Sequence, residues 1–199
     1  MVVWSLLLSA LVFALVTIGT PGAANLLAAT SGAQVGLRAS SGLLVGIAVA
    51  VLSIVAVVAL GVGSIVAAHP VVSASFKAVG SAYLLWLASR IARAPRPSLG
   101  EGNSVGGWRT GLALTVVNPQ TWTVALSAAA GYSALSASPV VLALLLVGVF
   151  AVVVVPDLIV WCVAGMMMTR ALQTDTHWRR LFRVLALLLV LSIIPMWIE

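Results

Sequence analysis

Residues 152–161 read Val-Val-Val-Val-Pro-Asp-Leu-Ile-Val-Trp, and Asp157 is the one ionisable group among them. No basic residue lies near it in sequence. An ionised carboxylate in hydrocarbon costs roughly 2.5–3.5 kcal/mol on insertion scales, so such a group faces a bundle interior or a wet cavity rather than lipid. The chemistry this points to is proton or cation coupling, with Asp157 as the proton-coupling residue. Two further clusters combine helix-breaking residues with polar side chains: Thr20-Pro21-Gly22 followed by Asn25, and Asn118-Pro119. Proline removes a backbone donor and crowds the preceding turn. At membrane depth the carbonyls it frees need protein or cavity water as partners. Half-helices starting after such breaks present N–H groups that suit a carboxylate. Thr20, Pro21, Gly22, Asn25, Asn118 and Pro119 are therefore the candidate substrate-binding residues. For each polar one the plainer alternative is a hydrogen bond that packs helices together, usually worth below about 1 kcal/mol in membranes.

The elements that must hold these residues follow from composition. The chain has 199 residues, 62% hydrophobic and only 7% charged. Its mean hydropathy is +1.21. A soluble domain has about 25% charged residues, and about 20 apolar residues suffice to span a bilayer. Six such stretches are expected, at about 3–25, 41–66, 73–92, 108–130, 138–165 and 180–197. The fold class is thus an all-α membrane protein of six transmembrane helices forming a single transmembrane domain over 1–199. The first half covers 1–92, the second 108–199, and a Pro-, Gly- and Ser-rich linker at 93–107 joins them. Three spans per half is an odd number, so the second half must insert upside down. Two inverted three-helix repeats are a common transporter plan, and paired Pro/Gly interruptions in the two halves point to the binding site.

The net charge of +6 does not imply nucleic acid. On the six-span plan all nine arginines, Arg38 and Arg109 among them, fall on one face. The positive-inside rule makes that face cytoplasmic. The linker is then cytoplasmic, both termini lie outside, and the lipid bilayer is the partner of the outer surface. The start, Met-Val-Val-Trp-Ser-Leu-Leu-Leu, has no basic n-region and reads as a retained span. Gly42 and Gly46, extended by Ala50, form a small-residue motif for close helix approach, within one protomer or between two in a homodimer. Trp4, Trp108, Trp178 and Trp197 fall at span ends and read as an aromatic belt. Cys162 is the single cysteine, so neither an internal disulfide nor a redox pair can form. No P-loop, G-x-S-x-G or H-E-x-x-H motif is present, and nothing calls for a catalytic residue, metal or cofactor.

Four segments, in order along nearly the whole chain, resemble the LysE/RhtB amino-acid exporters. Thr20–Ser40 is similar to the family's opening pattern of S/T-P-G-P-N/D-x-L-L and G-x-x-x-G-x-R. Phe76–Arg90 resembles its third span, Val117–Trp122 its N-P-K/R motif, and Val154–Val160 a fifth-span stretch that carries an aspartate in several members. Three positions depart from the pattern. Ala23 replaces the second proline, Ala24 the polar residue after it, and Gln120 the basic residue after N-P. The resemblance implies export of amino acids or related small metabolites across the cytoplasmic membrane, driven by proton antiport, without enzymatic activity. The alternatives are export of another small solute or a metal cation on the same plan, a transmembrane thiol relay, and a membrane protein that transports nothing. A thiol relay needs two cysteines. A metal exporter with one deep acid and no intramembrane His or Cys cluster lacks donors.

Overall fold

The structure is a computed structural model, and it describes residues 2–62, 74–75, 78, 81–82, 85–86, 88–89, 92–93, 106–171 and 174–191. Most of the expected third span, the linker from 94 to 105, and residues 192–199 lie outside the described residues. Among the described residues the chain is helical throughout, with no strand. We label the helices α1 (Val2–Gly19), α2 (Ala23–Val57), α3 (Trp108–Val116), α4 (Pro119–Gly131), α5 (Pro139–Ala171) and α6 (Asp175–Leu191). A π-helical turn, Val58–Val62, extends α2.

The first two spans are bounded differently from the sequence expectation. Residues 26–40, taken as a connection, are helical and belong to α2. Ala23 to Val35 contains no proline and is rich in Ala and Leu, so nothing in it stops a helix. The turn comes at Gly36, whose φ of 79° and ψ of 172° suit a residue without a Cβ. Ser31 and Ser40 would stand about 13.5 Å apart along a straight helix. Their hydroxyls are instead 2.7 Å apart and buried, so the two arms of α2 fold toward each other around Gly36. The first span therefore continues through the Pro21 break to residue 35. The segments that follow the two breaks, 23–35 and 119–131, are equal in length.

Among the described residues Pro139–Thr169 is long and apolar enough to cross a membrane by itself, with a mean hydropathy of 2.9, and the apolar run Ala23–Gly61, with a mean hydropathy of 3.1, turns at Gly36. The breaks at Pro21 and Asn118-Pro119 leave α1, α3 and α4 shorter. α2 packs most extensively against α5 and next against α3. The α2–α5 seam is a stripe at helical spacing: Leu43, Ile47 and Val51 face Leu146, Phe150 and Val154, all buried. The opposite faces expose Val49, Leu144, Val152 and Val160. Such a continuous apolar exterior suits lipid as solvent rather than water.

Glycines set how closely the helices approach. A Cβ at Gly32 would run into the backbone of Cys162, and one at Gly165 into the backbone of Ala29. This fixes the first arm of α2 directly on α5. A Cβ at Gly46 would likewise strike the Trp108 carbonyl. The Gly42/Gly46 motif thus serves contact between α2 and α3 inside the protomer. Trp178, expected in the lipid belt, is buried with Phe182 against Ala33 and joins α6 to α2. Trp4 and Trp108 are exposed, as a belt requires.

Candidate functional site

At the first break Pro21 has no N–H, and α1 ends with carbonyls that no later turn can satisfy. Asn25 reaches back across the break. Its Nδ2 donates to the Ile18 carbonyl at 2.6 Å and to the Thr20 carbonyl at 3.2 Å. Both amide hydrogens are therefore committed, and only its Oδ1 is left to act. Thr20 Oγ1 donates to the Val16 carbonyl and Thr17 Oγ1 to the Phe13 carbonyl, which closes the last turn of α1. On the far side, α2 starts at Gly22 with no side-chain cap. The first N–H groups of α2 therefore lack a side-chain acceptor from the cap position.

The second break is built from different residues to the same end. Asn118 is the N-cap of α4, and its Oδ1 accepts from the Gln120 N–H at 3.1 Å. Pro119 is the first helical residue, where a missing N–H costs nothing. It starts a new helix rather than bending an old one. The freed Val116 carbonyl at the end of α3 accepts from the Trp122 indole N–H at 2.8 Å. Trp122 thus does at the second break what Asn25 does at the first.

The two breaks meet. Thr20, Gly22 and Asn25 line one cavity with Asn118, Gln120 and Thr121. Thr17 also lines it, and the remaining wall is aliphatic and aromatic, from Ile47, Val51, Val55, Val124, Phe150 and Leu158 among others. No charged side chain lines it among the described residues. Its volume is about 40 Å³, which holds roughly three water molecules at about 10–15 Å³ each. Pro21 and Pro119 shape the breaks but are not in the wall.

Asp157 is not in the wall either. It lies half-buried behind it, near Gly19, Asn25 and Trp161. Its Oδ2 is buried without a partner. α5 continues to Ala171, which puts Asp157 about 21 Å from that helix end at 1.5 Å per residue. α5 runs unbroken through Pro156, so the Val152 carbonyl has no i+4 N–H to accept.

A family model, LysE type translocator, matches residues 15–195. The chain belongs to this family. Comparison with curated proteins and with solved structures gives no match. As a LysE type translocator it is a multi-pass membrane transport protein. The departures noted in the sequence fall at the heart of the translocator's cavity. Ala24 and Gln120 are wall residues, while Ala23 is buried beside them. Gln120 takes the place of a basic residue, and its side-chain amide lies directly against Gly22, where a Cβ would meet Oε1 at 2.5 Å. Its part in the wall was missed from sequence. The signal that could have found it was its place directly after the Asn118-Pro119 break, at the start of α4.

Proposed function

We propose that this translocator is a secondary exporter of amino acids or related small metabolites, driven by proton antiport across the cytoplasmic membrane. The observation that carries the reading is the convergence of two broken helices on one cavity. The uncapped start of α2 suits a substrate carboxylate, and Asn118 and Gln120 offer amide groups opposite it. Thr20 and Asn25 complete the polar side, with Pro21, Gly22 and Pro119 setting the backbone. Asp157, behind Asn25, is the proton-coupling residue in this reading. Protonation there acts on the break through Asn25, whose amide hydrogens hold the end of α1.

In the same reading the chain is a single transmembrane domain of six spans in two inverted three-helix repeats. The 93–107 linker is cytoplasmic and both termini are outside. The equal lengths of 23–35 and 119–131, each followed by a long helix, support the repeat. Export of a metal cation is disfavoured by a wall without acidic side chains among the described residues.

Flux into inverted vesicles carrying the purified chain, with a panel of amino acids and an imposed proton gradient, tests the proposal. Uptake that depends on the gradient is expected for at least one member. Equal fluxes with and without the chain, for the whole panel, would sink it.

A further inference from the structure

Leu158 separates two voids. It is 3% exposed and lines the central cavity. It also lines a larger groove of about 350 Å³ on the outer side of the α2–α5 seam. That groove runs from Arg38 and Ser41 to Ala48, Val155 and Ile159. Arg38 and Ala48 lie about 15 Å apart along α2 at 1.5 Å per residue. Arg38 is exposed and is the groove's only charged member among the described residues.

We infer that the groove is the cytoplasmic approach to the central cavity, that Leu158 is the gate between them, and that Arg38 selects small carboxylates with an aliphatic remainder. The inference rests on the exporter reading above and adds to it a route and a substrate class. Three observations carry it. The same side chain forms a wall of both spaces, so a change of its rotamer or of the local helix joins them. Leu158 stands two residues after Pro156, where the Val152 carbonyl already lacks its helical donor, so a bend at this point costs less than elsewhere in the helix. The central cavity carries no charged lining among the described residues, whereas the groove carries Arg38. The Arg38 guanidinium attracts a carboxylate and repels a cationic side chain. Leu44, Val45, Ala48, Val155 and Ile159 then favour an apolar remainder over a polar one.

The test needs no substrate. In a Cys162→Ser background, Thr121→Cys places one thiol in the central cavity. Inverted vesicles are treated with two small methanethiosulfonate reagents of matched size, one anionic and one cationic. The anionic reagent should react faster, and Arg38→Gln should remove that preference while Arg38→Lys keeps most of it. Leu158→Ala should raise both rates several-fold, and Leu158→Phe should lower them, so the result does not depend on a single truncated variant folding well. Rates that ignore both Leu158 variants overturn the gate, and a charge preference that survives Arg38→Gln overturns the selector. A thiol at Ala48→Cys that reacts only with a lipid-soluble maleimide would identify a lipid chain in the groove and overturn the route. If labelling follows the expected pattern but no amino acid is exported, the exporter reading fails and the gate stands.

Discussion

The side-chain amide of Asn25 donates to the carbonyl of Ile18 at 2.6 Å, seven residues earlier and across the Pro21 break. With the second bond to Thr20, this one side chain holds the open end of α1. Asn25→Leu keeps the volume and removes both donors. Leaving buried carbonyls unsatisfied costs on the order of 1–3 kcal/mol. The variant should unfold at lower temperature in detergent, and Asn25→Gln should not restore the parent because its amide sits one methylene too far out. An unchanged melting temperature for Asn25→Leu would show that water replaces the amide in the break.

Asp157→Asn removes titration and keeps size and most hydrogen bonding. The variant should insert and purify like the parent, since replacing a buried ionisable group need not destabilise a bundle. It should lose accumulation against a gradient, and its flux should depend less on pH. Counter-exchange of substrate, which needs binding but no net protonation, should persist. Gradient-driven export equal to the parent at every pH would leave Asp157 a structural acid beside a proline.

Cysteines at Ala24 and Thr121 should react with the same small water-soluble reagents, since both positions line the one cavity. An exported amino acid should slow both reactions together. Protection at one site without the other would separate the two breaks functionally and argue against a shared site.

Gly165→Ala should cost about 1–3 kcal/mol, the usual effect of overpacking a close contact, because its Cβ would meet the Ala29 backbone. Gly148→Ala meets nothing within 4 Å and should be neutral or stabilising by about 0.5–1 kcal/mol through helix propensity. Denaturation of the two variants side by side in the same detergent measures the difference. Equal stability for the pair would mean that α2 and α5 are packed less tightly than the structure shows.

Ser98 should be labelled only from the cytoplasm when replaced by cysteine in a Cys162→Ser background. Labelling from outside intact cells would reverse the orientation, and with it the assignment of the Arg38 groove to the cytoplasmic side.

The breaks were legible because proline announces a missing donor wherever it stands, and Pro21 and Pro119 do so in otherwise featureless apolar runs. Asp157 was legible for the same reason, as a charge where charge is costly. The turn at Gly36 was not, because a glycine in a helical pattern reads alike whether it bends the chain or only lets a neighbour close. The spans were expected to end at 25 and resume at 41, whereas Ser31 and Ser40 satisfy each other inside the helical pair between them. The apolar wall was also hidden. In a chain where nearly every position is apolar, Val51 and Phe150 do not differ in sequence from Val49 and Leu144, although the first pair is buried and the second exposed. Trp178 was misread because an aromatic residue at a span end looks the same facing lipid as facing Ala33. The family resemblance supplied what periodicity could not, the order of the segments, and the family match bears it out.

The central cavity, at about 40 Å³, is too small for even a modest amino acid. A conformation that admits substrate must therefore be wider than this one. When only a fraction of molecules is competent to bind, the apparent dissociation constant rises by the inverse of that fraction. Weak affinity measured on the resting protein would then report the scarcity of the open form, not poor contacts within it. Substitutions that widen the cavity without touching its polar side, such as Phe150→Leu, would tighten apparent binding by making the competent form common. The same variants would transport more slowly if closing again is the step that commits the solute.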